Sequence, residues 1–284
     1  MQPDLITLFI IASASSFAGI LAGMLGIGGG IVIVPMIYYL LTYFGFDQSV
    51  IMHVAVGTSL FIIIPTGLRS AFEHSKRGSF KKSIFKKWFA PIALGSILGS
   101  YLAGISSFKG LTLLFATLAS VVSYQMFTSS RKDETLTIIQ NPLLNFSPFF
   151  IGIFSSMMGI GGGNLSVPIM SYMGIEIRKA IGTSSALGIV IAVPGSIGFM
   201  ISGQAVENLP DYSIGYVNLL YAALIIPLTI LFVPIGVRLA HKFERSRLQA
   251  VFSLLLAITA TKMFWDCLLY TSPSPRDRTR YRMP

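Results

Sequence analysis

Gly23-Met24-Leu25-Gly26-Ile27-Gly28-Gly29-Gly30 and Ser156-Met157-Met158-Gly159-Ile160-Gly161-Gly162-Gly163 are one motif written twice, 133 residues apart. Each is followed at the same distance by a proline, Pro35 and Pro168. Three successive glycines weaken a helix by about 1 kcal/mol each relative to alanine. Both runs sit inside strongly apolar sequence, so each predicts a helix interrupted where only lipid or protein surrounds it. Two further blocks repeat in the same order. Val56-Gly57-Thr58-Ser59 matches Ile181-Gly182-Thr183-Ser184, and each leads into an apolar run holding a proline, Pro65 and Pro194. Residues 99–127 align with 236–264 without a gap, with identities that include Gly99/Gly236, Leu111/Leu248 and Phe127/Phe264. The chain is therefore read as two repeats: 1–128 is the first transmembrane repeat, 129–145 a cytoplasmic linker and 146–266 the second transmembrane repeat.

Composition says what surrounds these repeats. The 284 residues are 53% hydrophobic and only 11% charged, with a mean hydropathy of +0.73. A soluble domain carries roughly 25% charge, so this chain cannot clothe itself for water, and lipid is its expected solvent. One cysteine, Cys267, excludes a disulfide scaffold. Abundant Leu, Ile, Val and Phe exclude disorder. Apolar stretches fall at 5–25, 31–44, 50–72, 88–103, 111–128, 146–158, 165–174, 180–202, 214–237 and 248–266. A backbone in lipid must satisfy its own hydrogen bonds, so all are read as helices, and no barrel-type alternation is seen. Residues 1–4 lack the positive region of a signal peptide, so 5–25 is read as retained. Residues 267–284 are read as a tail, non-native or disordered, and given no function.

The net charge of +10 is a topology signal. Loop 69–87 carries seven basic residues and one acid, while its counterpart, 203–212, carries Glu207 and Asp211 and no base. Loop 104–110 has only Lys109, against Arg238, Lys242, Arg245 and Arg247 in 238–247. Asp47 in 45–49 answers to Arg178 and Lys179 in 174–179. Basic loops stay in the cytoplasm, so every paired loop switches side, as expected of an inverted repeat. Nucleic acid is not needed to explain the charge, and the bilayer is the expected partner. The stretch between the linker and 174–179 is too short for two upright crossings of about 30 Å each. A pair of half-helices meeting near 161–164 resolves this, and the same device is expected at 28–30. The fold class predicted is an all-α polytopic transmembrane helix bundle of two inverted repeats, each with a glycine-broken half-helix pair. Six full spans and two broken pairs, or ten spans if the short ones are tilted and complete, leave both termini outward.

Paired breaks at matching places point to a transporter site. Glycines expose backbone N–H groups, and the helix that follows offers its positive end, a combination that favours anions. Close helix packing is the other use of such glycines, and the two roles can coexist. Thr58, Ser59, Thr183 and Ser184 carry hydroxyls that either cap helices or donate to an oxyanion without a buried lysine. Asn164 adds an amide where the first repeat has Ile31. The expected substrate-binding set is Gly28, Gly29, Gly30, Thr58, Ser59, Gly161, Gly162, Gly163, Asn164, Thr183 and Ser184. No acidic or basic residue falls deep within a span, and no metal cluster, catalytic constellation or P-loop is visible, so neither enzyme nor ATP-driven pump is expected, and no cofactor. His53, His74 and His241 are read as structural or solvated, with His74 beside Lys76 and Arg77 on a cytoplasmic basic face.

The two G-I-G-G-G-x-x-x-x-P motifs, followed by Ala55-Val56-Gly57-Thr58-Ser59 and Ala180-Ile181-Gly182-Thr183-Ser184, resemble the TauE/SafE-type sulfite exporter family over nearly all of 5–266. The resemblance implies a multi-pass protein of the bacterial inner membrane that moves sulfite, a sulfonate such as sulfoacetate, or a related small anion. The functional expectation is a secondary transporter that alternates access by rocking its halves about the breaks, with Pro65 and Pro194 as hinges. A non-transporting membrane scaffold or assembly protein, or a passive anion channel, is the alternative. The coupling ion, H+ or Na+, and a homo-oligomeric state stay open at this point.

Overall fold

The computed structural model describes residues 5–26, 28–129, 146–242 and 245–269. Most of the linker and of the tail lies outside them. The elements run α1 (Leu5–Leu25), α2 (Gly30–Tyr43), α3 (Gln48–Lys76), α4 (Lys82–Ile105), α5 (Phe108–Ser129), α6 (Ser147–Met158), α7 (Gly163–Tyr172), α8 (Ile177–Ser202), β1 (Ser213–Ile214), β2 (Val217–Asn218), α9 (Leu219–Lys242) and α10 (Arg245–Leu269). Helices α1, α3, α4, α8 and α9 are long and apolar enough to cross a membrane. Helices α5 and α10 match them in length, with 22 and 25 residues. The all-α transmembrane architecture read from the sequence is the one found.

Local chemistry sets the helix ends. Asp47 caps α3 by accepting the Ser49 N–H at 2.9 Å. Pro65, Pro91, Pro194, Pro227 and Pro234 lie inside helices that continue past them. Next to Pro65, the Thr66 hydroxyl donates to Ile62 O at 2.8 Å, a back-bond to the carbonyl one turn earlier. One expected boundary moves. The span read over 214–237 begins at Leu219, because 213–218 form a two-stranded antiparallel hairpin. Its turn uses Gly215 at φ +54°, where any side chain would strike Met200 O. Asn218 then starts α9 by accepting the Tyr221 N–H at 3.0 Å. Tyr216 and Val217 are buried in the hairpin and Ile214 is exposed; their hydrophobicity alone does not separate a hairpin from a helix.

The densest packing is α1 on α9 and α4 on α6. The first helix of each repeat thus lies against the fourth helix of the other. Glycines make these crossings. A Cβ on Gly236 would collide with Ile20 O, and one on its repeat counterpart Gly99 would collide with Ile153 O, the counterpart of Ile20. At the centre, α3 lies on α8 in antiparallel fashion: Leu60 meets Gly195, Gly67 meets Ile189, and Ser70 meets Ser185. Exchanging Leu60 and Gly195 for their repeat counterparts returns Ser185 and Ser70. Gly57 packs on Phe199, and Gly182 on His74, each pair with a would-be Cβ about 3 Å from the partner's Cβ. Large apolar side chains such as Leu94, Tyr101 and Ile201 face outward. For a soluble protein such a surface would be a liability; in lipid it is the solvated face.

Candidate functional site

Both triple-glycine stretches interrupt the helix. Helix α1 stops at Leu25 and α2 starts at Gly30; α6 stops at Met158 and α7 starts at Gly163. Gly26, Gly28 and Gly29 have φ of 68°, 75° and 82°, and Gly159 and Gly162 have 67° and 49°. This left-handed region is open to glycine at no steric cost, which is why the motif needs glycines rather than small residues in general. Gly29 and Gly162 occupy the N-cap positions, with no side-chain cap on α2 or α7. The first turn closes through the cap carbonyl instead. Gly29 O accepts from Val32 and Ile33 (3.0 and 3.2 Å), and Gly162 O from Leu165 and Ser166 (3.2 and 2.8 Å). Ahead of α7, the Gly162 N–H donates to Ile160 O at 2.7 Å and the Gly163 N–H to Gly161 O, two tight turns in succession.

The breaks lie against each other. A Cβ on Gly30 would run into Gly159 O and stand 3.0 Å from Ile160 Cα. The expected glycines Gly28, Gly29, Gly30, Gly161, Gly162 and Gly163 are all buried there. The Asn164 side chain lies outside the described residues.

The four expected hydroxyls surround the breaks, fully buried, and each is engaged within the protein. Ser59 Oγ donates to Gly159 O at 2.8 Å. Its counterpart Ser184 Oγ reaches Gly26 O at 3.3 Å and Ile181 O at 2.9 Å. Thr58 Oγ1 accepts the Asn218 N–H at 2.9 Å, ahead of α9. Thr183 Oγ1 accepts the Lys81 N–H at 3.0 Å, ahead of α4, and donates to Lys179 O at 2.6 Å. Serines thus hold the break carbonyls, and threonines hold the backbone ahead of each fourth helix.

Other residues join the site. Thr66 Oγ1 reaches Gly28 O at 3.4 Å, Ser70 Oγ donates to Ala22 O at 3.2 Å, and the Ser70 and Ser185 hydroxyls lie 3.1 Å apart. His74 is buried, not on a basic face, and its Nε2 lies 2.8 Å from Gly23 O in the last turn of α1. The reason is helical phase: Ser70 and His74 are one turn apart and face α8, while Lys76 and Arg77 point away. His53 is buried too, 3.2 and 3.1 Å from the Ala103 and Ser106 carbonyls that end α4, and stacked on Tyr216. Nearer the basic loops, the acids are paired locally, Glu73 with Arg69 and Glu176 with Lys179. Among the described residues no group of His, Cys, Asp or Glu is placed to hold a metal ion. The sequence signals for Ser70 and His74 were too ordinary to stand out, since their partners Ser185 and Gly23 are 115 and 51 residues away.

Known proteins match this arrangement along most of its length. Residues 11–263 match the family described as Sulfite exporter TauE/SafE. A probable membrane transporter protein of Haemophilus influenzae is 35% identical over 251 residues, covering 88% of this chain and 95% of that protein. The probable membrane transporter protein YunE of Bacillus subtilis is 24% identical, covering 88% and 94%. A probable membrane transporter protein of Methanocaldococcus jannaschii is 26% identical, covering 84% and 89%. No solved structure matches. With its five candidate spans and a family match from the first span to the last helix, this multi-pass membrane chain belongs to the sulfite exporter TauE/SafE family of membrane transporters.

Proposed function

We propose that the protein is a secondary transporter in the bacterial inner membrane for a small organosulfur or related oxyanion, sulfite or a sulfonate such as sulfoacetate. The observation that carries this reading is a pair of buried helix starts without a side-chain cap, α2 at Gly30 and α7 at Gly163, with the end of α6 at Gly159–Ile160 lying on Gly30. Helix N-termini carry partial positive charge and spare N–H groups, and bare glycine lets a tetrahedral or pyramidal oxyanion approach them. The amides of Gly28 to Gly30 and Gly161 to Gly163 are the proposed donors, with the Asn164 amide as a further arm. An oxyanion accepting the same protons can replace the N–H bonds inside the two tight turns ahead of α7. Ser59 and Ser184 hold the break carbonyls, Thr58 and Thr183 hold the backbone ahead of α9 and α4, and the four hydroxyls are the further proposed members of the site. The family match and the transporter names of the relatives support transport; the charge switch between paired loops supports one repeat being upside down relative to the other.

The test is thermal unfolding of the purified chain with sulfite, thiosulfate, sulfoacetate, taurine and short carboxylates. A ligand that binds only the folded form stabilises it by about 2.7 kcal/mol at a hundredfold excess over Kd. One organosulfur anion is expected to raise Tm saturably and to be carried saturably into proteoliposomes. No shift with any anion sinks the reading.

A further inference from the structure

Loops normally run over a protein's surface, yet the backbone ahead of each fourth helix is pressed against both α3 and α8. At one end the hairpin does this. A Cβ on Gly57 would stand 2.6 Å from Tyr216 O and 3.0 Å from Phe199 Cβ. The Tyr216 N–H donates to Phe199 O at 3.1 Å, and the Asn218 N–H to Thr58 Oγ1 at 2.9 Å. At the other end residues 77–81 do the same. A Cβ on Gly182 would strike Ser79 O and stand 3.1 Å from His74 Cβ. The Ser79 N–H donates to His74 O at 3.0 Å, and the Lys81 N–H to Thr183 Oγ1 at 3.0 Å. The two straps are counterparts residue for residue. Helices α4 and α9 start at Lys82 and Leu219, in the register of Gly99 and Gly236, which pairs Ser79 with Tyr216 and Lys81 with Asn218. Ser79, Tyr216 and Asn218 are buried.

Helices α3 and α8 are antiparallel, so the straps sit at opposite ends of the pair. Gly57 and His74 on α3 are about 25 Å apart at 1.5 Å per residue, close to the thickness of the hydrocarbon core. Both glycine breaks lie between the straps. Along α3, Ser59 meets Gly159 and Ile63 meets Gly28. Along α8, Ser184, Gly188 and Ile191 meet Gly26, Gly161 and Gly162. Each strap is also tied to one break through neighbouring hydroxyls. Thr58 holds the hairpin while Ser59 holds Gly159 O, and Thr183 holds the other strap while Ser184 reaches Gly26 O. The hairpin follows the acidic loop 203–212, and the other strap belongs to the basic loop 69–87. Basic loops stay in the cytoplasm, which sets the hairpin outside and residues 77–81 inside.

We propose that the hairpin, latched by Thr58 on Gly57, is the outer gate to the breaks, and that residues 77–81, latched by Thr183 on Gly182, are the inner gate, each opening without the other. Both are latched in this structure. The gating role rests on the transport reading above and on the sidedness of the charged loops; the latches themselves do not. A shift of the chain at one break is carried to its own gate by the adjoining serine and threonine.

The experiment reads accessibility, with no anion added. In a Cys267→Ser background, Ser166→Cys puts a thiol at a buried place one turn from Gly162, whose carbonyl Ser166 contacts. A membrane-impermeant maleimide is then applied to intact cells and to inside-out vesicles. Thr58→Val should speed labelling about tenfold from outside only, and Thr183→Val about tenfold from inside only, the population shift that follows loss of one buried hydrogen bond. Thr58→Ser and Thr183→Ser keep the acceptor and should label at the parent rate. Gly57→Ala and Gly182→Ala wedge the same latches and should reproduce the sidedness, so the outcome does not depend on either valine variant folding. Latches that serve stability alone would lower Tm and leave labelling unchanged or raised equally from both sides; either result overturns the proposal. Anion transport into proteoliposomes is measured separately, so failure of the gates and failure of the transport reading are told apart.

Discussion

Thr58 and Thr183 each accept a backbone N–H from across the repeat boundary, and a valine at either place keeps the shape while removing the acceptor. Each substitution should cost about 1–2 kcal/mol, the usual value of a lost cap or buried partner, and the two should lower Tm in chemical or thermal melts by similar amounts because their settings are equivalent. Ser59→Ala leaves Gly159 O without its hydroxyl and should cost about 1–3 kcal/mol, again read by melting. The glycine, threonine and serine positions were legible in the sequence because they are written twice. What each hydroxyl touches was not: the partner of Thr58 is 160 residues away and that of Ser59 is 100, and only the packed fold brings them together. Ser185 was visible beside Ser184, yet its meaning depends on Ser70, on a different helix.

At the scale of elements, the interrupted helices came straight from the glycine runs, and α3, α8 and the ends of α1 and α6 fall close to where hydropathy puts them. The hairpin at 213–218 did not, because its apolar residues mimic the start of a span. Which helix packs on which was also silent in one sequence, since glycines at crossings look like any others. Gly99 and Gly236 give the sharpest test. Leucine at either should force apart α4 from α6 or α1 from α9, with an overpacking cost of about 1–3 kcal/mol, seen as lost folded yield and a lower Tm. Leu94→Ala, on the outward face at 60% exposure, should leave both nearly unchanged.

For the whole molecule, charge was the legible quantity and depth the illegible one. The basic loops predict sidedness without any structure, and labelling can check it. In a Cys267→Ser background, a cysteine placed at Glu207 should react with a membrane-impermeant maleimide on intact cells. Cysteines at Lys86 or Arg178 should react only after permeabilisation. Labelling of all three from the same side would remove the inversion.

The exchange of first helices between repeats bears on how such a chain could move and on how it could have arisen. Helix α1 is seated on α9, and α6 on α4, so neither repeat is a self-standing lobe. A swing between the N-terminal and C-terminal stretches of chain would tear both seats open. Blocks that travel together must instead be mixed, each drawing helices from both stretches. By the same token, were such a chain to arise by duplication, one repeat alone would have an open groove and an unseated first helix, and a second copy would fill the one with the other.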